Sequence, residues 1–472
     1  MDFIQANLID PVSHFLYTYI LIYVLLGAGI YFTVCTRFVQ IRRFPGMFRL
    51  MISPGGAAGG ISSFQAFCVG LASRVGTGNI AGVAIALTLG GPGAIFWMWV
   101  VALVGMATGF VEATLAQIFK VTAADGSFRG GPAYYIQRGL RSRPGGVLFA
   151  VLLLFTFGIA FNMVQANTVA DVLVNAHSIT EGWTAMALVV LAAPVLFGGV
   201  KRIASVSGYV LPVMALAYIL IALIIIGMHI NLTGHTLRVI VDSAFGVGPA
   251  AAGVAGGVSA AMLNGIKRGL FSNEAGMGSA PNAAATATTD HPAKQGLIQS
   301  LGVFVDTMCV STATALIILF SGVYTPGKTS ESAGASLTQA ALTKEFGTAG
   351  TWLMTVLVCV FAFSSVLGNY SYAEVNLDYL GASKAVIYAF RLVVLGAVAL
   401  GSVVALNLVW AFADVSMGVM ALVNLTAIVL LSRWAFGALK DYDASLAAGL
   451  QPRFTLTGNP RLPAGLRSDA WP

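Results

Sequence analysis

Apolar runs of about 20 residues recur along the whole chain, set apart by short polar or basic stretches, and about 20 apolar residues make a helix that crosses a bilayer. Eleven segments follow from this pattern: 14–36, 61–90, 93–119, 147–173, 183–200, 206–229, 255–290, 296–321, 350–379, 385–403 and 408–432. Two of them are interrupted. The second carries Arg74-Val75-Gly76-Thr77-Gly78-Asn79, and the seventh carries Gly269-Leu270-Phe271-Ser272-Asn273-Glu274-Ala275-Gly276. Irregular backbone at membrane depth strands N–H and C=O groups, so it persists only where protein, water, an ion or a substrate satisfies them. A pair of such breaks in corresponding halves is the sequence sign of a transporter's binding site.

After the first segment, ten remain, and they divide as five plus five. An odd number per half makes the halves run in opposite directions, and the broken segment comes first in each. The expected organisation is an N-terminal helix with a basic loop (1–60), a first five-helix repeat (61–229), an external connection (230–254), an inverted second repeat (255–432) and a tail (433–472). The tail from Ala438 onward reads as poorly ordered. Loop charge sets the orientation. Arg37, Arg42, Arg43, Arg49, Lys120, Arg129, Arg138, Arg141, Arg143, Lys201, Arg202, Lys294, Arg433, Lys440, Arg453, Arg461 and Arg467 all fall on one side if segments alternate. This puts the N-terminus outside and the C-terminus in the cytoplasm.

Composition agrees with the pattern. Of 472 residues, 57% are hydrophobic and 9% charged, against about 25% charged in soluble domains. The chain therefore reads as an all-α polytopic membrane protein. In that setting the net charge of +7 reflects basic loops facing anionic lipid rather than a nucleic-acid partner. Cys35, Cys68, Cys309 and Cys359 form no CxxC and read as buried small hydrophobes. No basic region precedes the first apolar run, so no cleaved signal peptide is expected.

The breaks carry the candidate chemistry. Glycines 76, 78 and 82 free the backbone, and the N–H groups opening the next half-helix make a seat for a carboxylate. The carbonyls around Ala72 to Val75 end the preceding half-helix and suit a cation. In the second break Ser272, Asn273 and Glu274 reach a substrate amine or ion if they face the first break, and are a plain polar loop if they do not. Asn162, Gln165 and Asn167 either line the site or join helices, and the hydroxyls of Ser364 and Ser365 have the same two readings. Glu112, Asp306, Glu374 and Asp414 are intramembrane carboxylates, with Arg74, Lys267, Arg268 and Arg391 as available partners. Phe96 to Trp99 read as packing or an interfacial belt.

Several of these stretches resemble the alanine/glycine:cation symporter family: residues 71–99, 130–136, 162–167, 269–282 and 289–296, with the likeness running from about Arg42 to Arg433. The resemblance implies a leucine-transporter-like fold, in which one N-terminal helix precedes a 5+5 inverted repeat with two discontinuous helices. It also implies sodium-driven import of alanine or glycine across a bacterial inner membrane by a protein working as a monomer. Carried over by position, Gly76, Thr77 and Gly78 present amides to the substrate carboxylate, and Asn79 bridges ion and substrate. Gln165, Phe271, Ser272 and Asn273 line the pocket. The carbonyls of Ala72 and Val75, with Ser364 and Ser365, form a sodium site.

The chain departs from the family pattern at two places. Many relatives have a small or hydroxylated residue at Arg74 and a tryptophan at Asn369. A polar Asn369 favours a larger or more polar substrate such as serine or glutamine, and Arg74 stands where it can replace a bound cation. The rival readings are proton coupling through Glu112, Asp306 or Glu374, a channel, and a membrane enzyme. A channel usually has a repeated filter and an enzyme a catalytic set, and neither is seen in the sequence.

Overall fold

The computed structural model describes residues 5–52, 61–123, 126–247, 257–327, 329, 334–463, 465–466 and 468–471. Residues 255 and 256, where the seventh segment is expected to begin, lie outside these, as do Arg467 and the side chain of Lys201.

Helices make up most of the described chain, with one two-strand hairpin and an isolated bridge between Ile61 and Ala287. In chain order the helices are α1 (Gln5–Cys35), α2 (Phe44–Ile52), α3 (Ser63–Arg74), α4 (Ala81–Gly90), α5 (Gly93–Ile118), α6 (Pro132–Gly139) and α7 (Arg143–His177). Then come α8 (Glu181–Leu196), α9 (Gly199–Met228), α10 (Ile230–Ala244), α11 (Gly257–Asn273), α12 (Ala280–Thr286) and α13 (Pro292–Ser321). The last are α14 (Ala335–Phe346), α15 (Thr348–Leu380), α16 (Lys384–Val403) and α17 (Leu406–Ala447). Strands β1 (Val121–Thr122) and β2 (Phe128–Arg129) pair antiparallel in the basic loop after α5.

Among the described residues, eight helices are long and apolar enough to cross a membrane: α1, α5, α7, α9 (over Ser205–Met228), α13, α15, α16 and α17. The bent pair formed by α3 and Thr77–Gly90 makes a ninth, with a 54° change of direction at the break. α8 is apolar but shorter, and α11 and α12, of 17 and 7 residues, are each shorter than a crossing. This is a polytopic membrane protein.

Local sequence explains the element ends. Ser62 and Gln65 close a reciprocal capping box at the start of α3. Ser142 and Ser383 cap α7 and α16 through backbone N–H groups three residues on. Gly322 and Gly381 end α13 and α15 in the left-handed region, where glycine meets no Cβ penalty.

Three expectations are corrected, and the connection after 229 gains detail. α1 begins at Gln5 rather than 14, because its first turns pack against α17. The connection after 229 contains α10, which buries Thr236, Ile240, Ser243 and Ala244. Cys35 is exposed rather than buried, at the C-terminal end of α1. The tail is not detached, although its described residues form no helix or strand beyond Ala447. α17 continues to Ala447, Phe454 and Trp471 are buried, and Trp471 Nε1 donates to the carbonyl of Gln117 at 2.8 Å. Aromatic side chains returning to the end of α5 hold it down.

Candidate functional site

The two breaks face each other at the centre of the described bundle. α3 ends at Arg74, Val75 leaves the helix, and one tight turn over Thr77–Asn79 leads into α4. The second break turns through Glu274 at φ +57°, Gly276 at +94° and Gly278 at +86°. A glutamate in the left-handed region is uncommon and costs on the order of 1 kcal/mol. Every residue from Leu270 to Ala287 is buried.

Asn79 joins the breaks. Its Oδ1 accepts the Gly76 amide at 3.1 Å, and Nδ2 lies within 3.1 Å of Ser272 Oγ, Ser311 Oγ, and both the backbone and side-chain oxygens of Asp306. Thr77 donates its amide and its hydroxyl to Gln165 Oε1, at 3.3 and 2.9 Å. Gly78 approaches the Phe271 ring so closely that a Cβ there would stand 2.8 Å from Cδ1. Phe271 itself stacks between Phe161 and Trp410, with centroids 4.5 and 4.7 Å away. Ser272 Oγ donates to Asp306 Oδ2 at 2.6 Å, and Asn273 donates to Thr307 Oγ1 at 3.3 Å.

Across the first break stands α15. Ser365 Oγ donates to the Ala72 carbonyl at 3.0 Å, while Ser364 Oγ turns back to Phe361 of its own helix at 2.9 Å. Val75 is buried beside them. One turn further along, Asn369 reaches Ser73 at 2.7 Å and Asn162 at 3.0 Å. The structure thus gathers Ala72, Gly76, Thr77, Gly78, Asn79, Gln165, Phe271, Ser272 and Ser365 around the breaks. It directs Ser364 to its own helix and Asn273 toward α13.

The charged residues separate by role. Asp414 pairs with Arg268 and lies 3.9 Å from Lys267, and Glu374 pairs with Arg391 at 3.3 Å. Glu112 accepts the Gly276 amide at 3.1 Å and is also bonded to Asn424, which holds the Gly276 carbonyl. Arg74 is 2% exposed and donates to the Gln299 carbonyl at 3.2 Å. It forms no ion pair among the described residues, and Gly302 leaves the room that its Nη1 occupies.

Sequence reasoning named Asp306 without placing it against Asn79. The reason is local: Phe304–Ser311 forms a π-helical stretch inside α13, which turns Asp306, Thr307 and Ser311 toward one point. Such stretches recur at functional sites. Ser73 and Ser311 were missed because single serines in apolar runs carry no spacing signal.

Helix breaks with converging polar groups are what a membrane transporter's binding site requires. The chain matches the sodium:alanine symporter family over residues 1–456, and it belongs to that family. It is 48% identical over 459 residues to a probable sodium/glutamine symporter of Bacillus subtilis, covering 96% of this chain and 94% of the relative. It is 47% identical over 462 residues to an amino-acid carrier protein of the same organism, covering 98% and 97%. To a sodium/alanine symporter of Methanococcus maripaludis it is 40% identical over 452 residues, covering 94% and 98%.

Proposed function

We propose that this sodium-coupled amino-acid symporter imports alanine or glycine by alternating access. The observation that carries the reading is the first break: Gly76 and Thr77 hold their amide hydrogens against the side-chain oxygens of Asn79 and Gln165. A substrate carboxylate offers the same kind of acceptor and takes the Thr77 amide in exchange for Gln165. Its side chain then lies toward Phe271, with Ser272 and Asn273 on the second break. The coupling ion sits where the α3 carbonyls meet α15. Ser365 already reaches the Ala72 carbonyl across that gap, and Val75, Asn79 and a rotated Ser364 supply the remaining oxygens. Ion and substrate favour the same closed state, and their differential affinity provides the coupling.

The architecture in this reading is α1 followed by two inverted five-helix repeats. α3–α4 opens the first and α11–α12 the second, giving eleven crossings of a bacterial inner membrane by a monomer. The N-terminus lies outside and the C-terminus in the cytoplasm. A second reading, a larger or more polar substrate such as serine or glutamine, draws on Asn369, which with Asn162 and Ser73 makes a polar floor one helical turn from Ser365 and Gln165.

Alanine uptake into proteoliposomes under an imposed sodium gradient, compared with an imposed proton gradient, tests the ion. Concentrative uptake is expected with sodium. Indifference to sodium overturns the assignment, and conductance without accumulation makes the protein a channel. Competition by serine and glutamine decides between the two substrates.

A further inference from the structure

One chain of buried polar atoms fixes its own hydrogen positions. It starts at the backbone carbonyl of Gly158, which only accepts. The Asn162 amide atom 3.1 Å from it is therefore Nδ2. Asn162 Oδ1 then faces Asn369 at 3.0 Å and accepts from Asn369 Nδ2. That turns Asn369 Oδ1 toward Ser73, 2.7 Å away, where it takes the serine's hydroxyl hydrogen. Yet the same Ser73 Oγ also lies 2.7 Å from Glu274 Oε1.

Ser73 has one hydroxyl hydrogen, and both gaps are hydrogen-bond length. Two oxygens at that distance with no hydrogen between them repel. The amide orientations leave Asn369 nothing to donate, so the second hydrogen comes from the Glu274 carboxyl.

We infer that Glu274 is a proton-binding site, a neutral carboxylic acid in this conformation, whose proton fastens the second break to α3 and, through Ser73, to α15 and α7. Its other oxygen fits the assignment: Glu274 Oε2 accepts from Ser279 Oγ at 2.5 Å. Glu274 is 1% exposed, Asn369 1%, Asn162 0% and Ser73 6%, so no solvent supplies the missing hydrogen in place.

The groups facing Glu274 come from four elements. Arg74 on α3 bonds to the Gln299 carbonyl and forms no ion pair with Glu274 among the described residues. Asp306 on α13 is occupied by hydrogens from Asn79, Ser272 and Thr307. Glu112 on α5 holds the Gly276 amide, two residues along the same turn. Tyr372 on α15 bonds to the Gly70 carbonyl at 3.4 Å and also faces Ser73, where its hydroxyl lies outside both the Ser73–Glu274 and Ser73–Asn369 gaps.

Losing the proton to water on an open face breaks the Glu274 O–H bond and leaves a carboxylate. The Ser73 hydrogen then turns to that carboxylate, and Asn369 Oδ1 is left against a serine lone pair. Protonation thus favours the arrangement seen here, and deprotonation breaks the Ser73–Asn369 joint between α3 and α15, while Ser365 and Tyr372 still hold the Ala72 and Gly70 carbonyls. The inference uses neither the sodium nor the substrate assignment.

Infrared difference spectra of the full-length protein in liposomes, taken from acid to alkaline pH, test it. A carboxylic-acid carbonyl band is expected at acid pH and lost at alkaline pH. Ser73→Ala shifts that band by removing its acceptor, and Glu274→Gln abolishes it. In Glu274→Gln the amide still donates to Ser73 and accepts from Ser279, so the joint survives without a titrating proton. On the alkaline limb, wild-type uptake falls about tenfold per pH unit, as for one proton, and the Gln variant is flat. A wild-type spectrum without the band overturns the inference even if the variants misfold. So does a band unmoved by Ser73→Ala, or the same slope in Glu274→Gln. Absent uptake with the expected spectra sinks the transport reading and leaves the proton site standing.

Discussion

Arg268 on α11 places one guanidinium nitrogen 2.5 Å from both carboxylate oxygens of Asp414 on α17, in an ion pair with both side chains below 10% exposure. The guanidinium also lies over the Trp410 ring, 4.6 Å from its centroid, and Trp410 stacks on Phe271. The pair therefore ties the aromatic wall of the second break to the last long helix. Tyr17 on α1 adds a bond to the Asp414 backbone at 3.0 Å.

Removing one partner leaves a buried charge, which costs about 3–5 kcal/mol, whereas an apolar replacement of both is often neutral. Asp414→Leu is expected to lower Tm in detergent sharply, because Arg268 Nε and Nη1 already lack partners. The double variant Arg268→Met with Asp414→Leu recovers most of that loss. A double variant no more stable than the single one would show that the pair is not the source of the effect.

At the first break, the demand for space falls on two glycines. A methyl at Gly76 overlaps Ser365 Oγ, and one at Gly78 presses on the Phe271 ring. Overpacking of this kind costs about 1–3 kcal/mol, or roughly 5- to 150-fold in an equilibrium constant by the same principle. Gly76→Ala is expected to reduce substrate affinity by at least the lower figure, with Gly78→Ala milder because an aromatic ring can slide. Binding titrations on purified protein check this, and wild-type affinity in Gly76→Ala would refute it.

The breaks were legible because glycine and consecutive polar residues interrupt runs that are otherwise apolar, and those interruptions have a physical cost that sequence displays. The fate of each charged side chain was not legible. Glu374 and Asp414 find cations on neighbouring helices, while Asp306 turns toward Asn79, and all three look alike as lone carboxylates in apolar sequence. The π-helical stretch at Phe304–Ser311 that decides the matter has no marker in composition. The tail misled for a related reason. Phe454 and Trp471 are isolated aromatics among Gly, Pro and polar residues, and only the tertiary structure supplies the groove that buries them.

Asn369 commits its side chain to Ser73 and Asn162, in the floor of the proposed pocket. Replacing it with tryptophan fills that floor with apolar surface and leaves Asn162 Oδ1 and the Ser73 hydroxyl without this partner. In the proposed reading, polar side chains in the substrate then lose their partner as well. Asn369→Trp is expected to narrow selectivity, with competition by glutamine or serine weakened about tenfold or more and alanine affected less, since an unpaired buried polar group costs about 1–3 kcal/mol. Selectivity unchanged by the substitution removes Asn369 from the determinants.

Lys120 gives the tail a pH signature. It follows α5, outside the membrane-crossing stretch, and is buried with its ammonium over the rings of Phe128 and Trp471, at 4.0 and 4.5 Å, and 3.3 Å from the Ala287 carbonyl. Burial pushes its pKa down from 10.5 to about 7. The unfolded chain thus holds this proton up to pH 10.5 while the folded one releases it near 7. Between those values the unfolded state binds more protons, so folding stability rises with pH. Below pH 7 both states are charged and the full cost of burying the ammonium is present. Lys120→Met removes the titration but keeps the apolar stem. Relative to it, wild-type Tm is expected to climb as pH increases from about 7 toward 10, with the steepest difference in that window. Thermal melts in detergent at matched salt measure it, and parallel profiles for the two proteins would mean that Lys120 keeps its proton in the fold.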